Sequence, residues 1–313
     1  MDKANTKQSR LKRKKADKIE LTLRDEIILR ALYKYRFLTT KHLQVLTGTD
    51  SKWGMNKRLR LLYDHKYVDR PQAQKAIFSH ADKRPVVHAL GNEGARLLSD
   101  RFGVTMPPSV YWTEKNRRVR EKHIEHTLGI SDFMVGMEKI CAEAGNVRVI
   151  DKDEILAQSP TQTKQTKDPF RWKTRVRHKG QVHDISIVPD YVFGLEYLDK
   201  PEGRNKSFFF VEVDRAKMPV VRRDIMQTSF LRKMQSYEDT WNRKLAERRF
   251  GIKAFRVLTL TTSDDRIATM IEAYRQELKD RAPAGIFLFR PKHLELNQPI
   301  TWKNAAGKMV DLL

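Results

Sequence analysis

The sequence predicts an α/β (α+β) chain of two domains: short helices closed by two strands, then a mixed sheet flanked by helices. Helical apolar spacing rules the first hundred residues and gives way to strand-like apolar runs after Gly145. The 313 residues, 40% hydrophobic, suffice for two cores rather than one. The third observation is that acids interrupt the apolar runs "IVPDYVF" and "FFFVEVDRAK" of the second part. The expected organisation is a disordered basic arm over 1–23, a first domain over 24–108 and a second over 109–313.

Charge narrows the partners. Against 39 Asp+Glu stand 62 Lys+Arg, a formal net charge of +23, so an extended polyanion is the first partner to consider. No window approaches the roughly 18 uncharged apolar residues of a membrane span, and the N-terminus lacks the apolar core of a signal peptide. A single cysteine, Cys141, excludes an internal disulfide framework and suits a reducing cytoplasm. The arm carries Lys12, Arg13, Lys14 and Lys15 within a run with almost nothing apolar to bury, which fits phosphate contact or simple solubilisation.

The first domain opens with a helix from Arg24, whose Ile27, Ile28, Leu32 and Tyr33 share a face. Thr39 or Thr40 caps a second helix that Gly48 ends. A third runs from about Lys52 to His65, then "YVDRP" and "PVVHAL" form two strands joined by a polar loop, and Asn92 opens a further helix. Three helices followed by a two-stranded wing is the order of a winged helix-turn-helix, whose third helix enters the major groove of duplex DNA. At about 100° per residue, Met55, Leu59 and Leu62 face inward. Lys57 and Arg60 point outward with Trp53, and Asn56 and Arg58 flank them. With Lys52 these form a basic, amide-bearing face suited to base edges. A winged helix often acts as a dimer on two half-sites, and the sequence leaves a homodimer open.

The second domain starts with a long helix, about Val119 to Ala144, bearing two apolar stripes. A strand "NVRVIDKDEIL", a mobile polar loop over 157–179, and strands "VHDISIVPDYVF" and "SFFFVEVDRA" follow. A helix over 222–248, the strand "FRVLTLTT", a helix over 265–280 and the strand "GIFLF" complete the order. An ionised carboxylate in an apolar strand is costly unless paired or bound to a cation. Asp190 and Glu212, on neighbouring strands, would converge on a hard ion such as Mg²⁺ or Mn²⁺.

The order of elements, with "VPD" followed by "VEVD", resembles the PD-(D/E)xK nuclease superfamily and its restriction-endonuclease-like fold. That resemblance implies metal-dependent cleavage of DNA, with Asp190 and Glu212 as metal ligands. It departs from the pattern at Asp214, where a lysine is usual; Asp214 is a third metal ligand or the partner of an arginine. Some members carry the lysine on the following helix, where Lys233 lies near the apolar stripe, a migrated catalytic lysine or a surface lysine with a buried stem. Glu125 matches the acid often found on the first helix. Tyr237 sits in the apolar stripe as a packing residue.

Taken together, "FLTTKHLQVLTG", "KRLRLLYDHKYVDRP", "VHALGNEGARLL", "IEHTLGISDF", "VPDYVF" and "FFVEVDR" resemble the replication-relaxation family of plasmids and other mobile elements, from about Arg24 to Tyr237. The resemblance implies replication or transfer of mobile DNA, double-stranded DNA and plasmid or host replication proteins as partners, and a cytoplasmic, nucleoid-associated setting. The expected activity is nicking or cleavage at a bound site. The alternative is a non-catalytic initiator or regulator.

Overall fold

The computed structural model describes residues 11–15, 18–74, 85–107, 110–292 and 301–312. Most of the expected polar loop between the first two strands, and residues 1–10 and 16–17 of the arm, lie outside these. The chain divides into two compact units, Met1–Val135 and Gly136–Leu313. This division falls later than the expected 108/109 boundary. The physical reason is that the start of the long helix packs into the first unit: Ile124 joins Phe37, Val87 and Ala89 in one core cluster, and Ser131 Oγ donates to the Phe37 carbonyl at 2.8 Å.

In the first unit, helix α1 (Leu23–Tyr35) opens with Thr22 and Asp25 bonded as a capping box. It buries Asp25, Ile28, Leu29, Leu32 and Tyr35, whereas Ile27, expected on the inner face, is exposed. Thr39 caps helix α2 (Thr40–Thr47), which Gly48 ends at a φ of 63°. Ser51 caps helix α3 (Lys52–Asp64), which buries Met55, Leu59, Leu62 and Tyr63. Strands β1 (Leu38–Thr39), β2 (Val68–Asp69) and β3 (Val87–Leu90) make an antiparallel sheet of order β1-β3-β2. Helices α4 (Asn92–Phe102) and α5 (Trp112–Arg117) follow, then α6 (Glu121–Ala144).

The expectation of a disordered arm fails for residues 11–15. Leu11 is buried, its carbonyl accepts from the Tyr63 hydroxyl at 2.6 Å, and Arg13 lies 4.2 Å from the Tyr63 ring centroid while pairing with Asp69 at 3.1 Å. The α3 and β2 surface supplies the apolar and acidic partners that composition alone could not reveal.

The second unit is built on a seven-stranded mixed sheet. Its strands are β4 (Val147–Ile150), β7 (Tyr191–Tyr197), β8 (Lys206–Val213), β9 (Arg256–Thr261), β10 (Phe287–Pro291), β11 (Thr301–Asn304) and β12 (Met309–Asp311). The order is β12-β11-β10-β9-β8-β7-β4, with β8, β9 and β10 parallel and the other neighbours antiparallel. Helices α9 (Phe230–Asn242), α10 (Leu245–Phe250) and α11 (Asp264–Glu277) supply Tyr237, Phe250, Met270 and Ile271 to one core with Phe210, Val257 and Phe289 of the sheet.

Four expected elements differ. The single strand expected over "VHDISIVPDYVF" is two: Gln181–Ile187 forms a strand outside the seven-stranded sheet, and Pro189, which lacks an N–H for a ladder, falls in the break before β7. The strand "NVRVIDKDEIL" stops at Ile150, because Asp151 accepts from the Asp153 and Glu154 amides and starts helix α7 (Lys152–Gln158) instead. The expected mobile loop over 157–179 holds helix α8 (Thr161–Lys164) and strand β5 (Trp172–His178), which pairs along its length with β6 (Gln181–Ile187). Trp172 Nε1 donates to Thr240 Oγ1 at 2.9 Å, and the Arg175 amide donates to Asp239 at 2.9 Å, so this hairpin is fastened to α9. Finally, the helix expected over 222–248 begins only at Phe230, where Ser229 Oγ accepts from the Arg232 amide, and breaks before Leu245.

Candidate active site and nucleic-acid face

Asp190 follows Pro189 in the short break between β6, which pairs with β5, and β7, which pairs with β8. Its amide donates to the Val211 carbonyl at 3.0 Å, and its carboxylate accepts from the Val213 amide at 2.8 Å. One oxygen therefore replaces a main-chain acceptor at the strand end. Between these two partners lies Glu212, which places both acids at one end of β7 and β8.

Glu212 shares a strand face with Phe210, two residues earlier. Phe210 stacks on the Tyr237 ring, centroids 5.8 Å apart, so this face meets α9. Lys233 and Tyr237 are four residues apart on α9 and project together. Tyr237 Oη donates to Glu212 Oε1 at 2.7 Å, and Lys233 Nζ pairs with Glu212 Oε2. Burial, opposed by Lys233 and reinforced by the charge of Asp190, pushes Glu212 up to about 7. Burial works against the charge on Lys233, but Glu212 and Asp190 outweigh it and hold the ammonium protonated above its ordinary range. Tyr237 is pushed well above 10.0 by burial and by the carboxylate it serves.

Of the two roles read for Asp214, the structure displays the arginine partner. Arg266 Nε donates to Oδ2 at 3.0 Å, Arg266 Nη2 to Oδ1 at 3.2 Å, and Thr261 Oγ1 to Oδ2 at 2.7 Å. With both oxygens engaged in a bidentate pair, Asp214 is not presented as a third ligand. Among the described residues no group of three or more His, Cys, Asp or Glu side chains is arranged to hold a metal ion. Glu125 lies in the part of α6 that belongs to the first unit, whereas Asp190, Glu212 and Lys233 belong to the second. The sequence reading missed Arg266 and the Tyr237 hydroxyl. The four-residue spacing of Lys233 and Tyr237 could have signalled the latter.

In the first unit, Lys52, Trp53, Asn56 and Lys57 form an exposed patch over the first half of α3. Lys57 Nζ lies 5.2 Å from the Trp53 ring, which is 74% exposed. Asn56 is tied to Thr40, whose hydroxyl donates to Asn56 Oδ1 at 3.1 Å, so α2 sets its orientation. Two expected contact residues are turned to internal work. Arg58 Nε donates to the buried Asp25 at 2.8 Å, and Arg60 pairs with Asp64 at 2.7 Å while donating to the Lys12 carbonyl at 2.8 Å. Helical angle alone put Arg60 outward, but the docked arm covers it. Arg13 is likewise engaged, leaving Lys12, Lys14, Lys15 and Lys18 as the exposed cations of the described arm.

No helix among the described residues is long and apolar enough to cross a membrane. A family model described as replication-relaxation matches residues 29–254, most of the chain. No curated protein and no solved structure matches it.

Proposed function

The chain belongs to the replication-relaxation family, and on that premise we propose that it binds duplex DNA of a mobile element and nicks it. The first unit acts as the winged helix, presenting Lys52, Asn56 and Lys57 to the groove. The second unit acts as a PD-(D/E)xK-type nuclease domain. One observation carries the catalytic part: Asp190, Glu212 and Lys233, which come from three separate elements, gather at one end of β7 and β8.

The donor set fits a hard divalent ion. It offers oxygen alone, from two carboxylates close enough that the charge of Asp190 raises Glu212, and two protein ligands leave the rest of a Mg²⁺ or Mn²⁺ shell to water. Bound to Asp190 and Glu212, such an ion would polarise a phosphodiester and lower the pKa of a bound water. Lys233 holds a positive charge beside the two acids and offsets negative charge developing on the phosphate. Tyr237 fixes the rotamer of Glu212 through Oε1. Asp214 and Arg266 brace the strand end without touching the reacting groups.

A second reading keeps the DNA binding and drops the chemistry, leaving an initiator or regulator with a nuclease-like scaffold. Its support is that both oxygens of Glu212 already have donors from α9. The deciding experiment is nicking of a supercoiled plasmid carrying the element's origin, in Mg²⁺ and in Mn²⁺. Wild type should convert it to open circles, and Asp190→Asn and Glu212→Gln proteins that still bind the plasmid should not. Binding without cutting by wild type in both metals would leave the scaffold reading.

A further inference from the structure

Within the first unit, the segment around α5 and the start of α6 borders an open cavity of about 600 Å³ whose other wall includes Arg36. Arg36 ends α1 with a φ of 65°, a conformation that side chains bearing a Cβ adopt at a cost. Its guanidinium carbon lies 4.9 Å from the Phe37 ring centroid, and its Nε and Nη1 are buried without a hydrogen-bond partner among the described residues. Burial pulls its pKa below the ordinary arginine range. Unpaired donors on a desolvated cation destabilise a fold, and an apolar side chain of similar length would avoid that cost.

The rest of the wall is suited to an anion. Lys115, Arg118 and Arg120 line it with Arg36, and the one lining carboxylate, Glu114, is already paired with Arg118 at 2.5 Å. Tyr111 also lines the cavity and is 70% exposed, an aromatic face open to a flat partner. The volume lies in the range of small-molecule sites.

We propose that this cavity binds the phosphate of a nucleotide, with Arg36 donating to phosphate oxygens, Lys115 and Arg120 neutralising the charge, and the base stacked on Tyr111. A guanidinium presents parallel N–H groups that match two phosphate oxygens, and stacking on an aromatic ring accepts any base. The nucleotide is either free or part of a DNA strand; the phosphate chemistry is the same. The site shares no residue with the α3 patch or with the Asp190 and Glu212 cluster, so its fate is independent of theirs.

Calorimetric titration of the full chain with ATP, and separately with an eight-residue oligothymidylate, tests the proposal in wild type, Arg36→Met and Tyr111→Ala. Arg36→Met breaks no hydrogen bond of Nε or Nη1, so its melting temperature should equal or exceed that of wild type. Its affinity for the binding ligand should nevertheless fall about 10- to 100-fold, the worth of charge-assisted hydrogen bonds. Tyr111→Ala should weaken the same ligand several-fold. Binding of ATP would identify a free-nucleotide site, and binding of the oligonucleotide alone a strand site. The proposal is overturned if wild type binds neither, or if Arg36→Met binds within twofold of wild type.

Discussion

Glu212 should make the stability of this protein depend on pH in a way that Glu212→Gln abolishes. Its carboxyl is raised from an ordinary 4.5 to about 7, first by burial. Between those values the folded chain keeps a proton that the unfolded chain releases, so stability is greatest below about 4.5 and declines as pH rises to about 7. At about 1.4 kcal/mol for each pH unit of that gap, the decline amounts to about 3 kcal/mol. Gln cannot ionise, and although it leaves either Tyr237 or Lys233 without an acceptor, that penalty is the same at every pH. Lys233→Met acts in the opposite direction. It removes the cation that holds Glu212 down, so the decline should continue above pH 7. Urea unfolding followed by circular dichroism from pH 4.5 to 8 measures all three, and subtracting curves cancels groups distant from the site. Parallel curves for wild type and Glu212→Gln would refute the assignment of Glu212 as a buried, proton-sharing acid.

Arg58→Met should destabilise the protein by about 3 kcal/mol or more in thermal or chemical unfolding, because it strands the buried Asp25, whose pKa is held low by Arg58 against the effect of burial; a loss under about 1 kcal/mol would return Arg58 to the surface. Replacing Lys52 and Lys57 by Ala should leave unfolding unchanged and reduce the log-log salt slope of duplex binding by about 0.9 for each phosphate no longer neutralised, read by fluorescence anisotropy across a salt series. An unchanged slope would remove this patch from the interface. Gly94→Ala should cost about 3 kcal/mol or more in urea unfolding, since its new methyl would lie 2.2 Å from the Tyr67 carbonyl oxygen and α4 would have to shift. A fully stable variant would contradict that close approach.

What could be read from the sequence was local. Thr39 and Gly48 sit where cap chemistry puts them, and the third helix ends within one residue of its expected limit. Lys233 was legible because α9 has a regular stripe and a residue just off its centre can lean toward a neighbouring strand. Long-range partners were not legible. Nothing near Arg60 in sequence announces that the Lys12 carbonyl will cover it, 48 positions away, nor does Asp25 advertise Arg58. Strand β5 reads as a loop because alternating Lys and Arg on its outer face dilute the signal of Trp172, Thr174 and Val176, which are buried against α9 and neighbouring residues. Asp190, expected at the end of a strand, lies instead in the break just before β7, and its bond to the Val213 amide depends on the register of β7 with β8, which composition does not specify.

Position 214 shows how such partners can change the meaning of a motif. A nuclease of the proposed type usually has lysine two residues after the acid that Glu212 would supply, and Asp214→Lys would create that pattern. It would not improve the site. Position 214 lies against Arg266, which donates to both carboxylate oxygens and to the Met218 carbonyl, and against Thr261. A lysine there would meet Arg266 with like charge in a place where the aspartate is 6% exposed. The cation that Glu212 needs already arrives from Lys233 on α9. Asp214→Lys should therefore cost about 3 kcal/mol or more in urea unfolding, without increasing any nicking, and Asp214→Lys/Arg266→Glu should recover most of that loss by reversing the pair. If the single variant were as stable as wild type, the pair with Arg266 would not be what keeps an acid at this position.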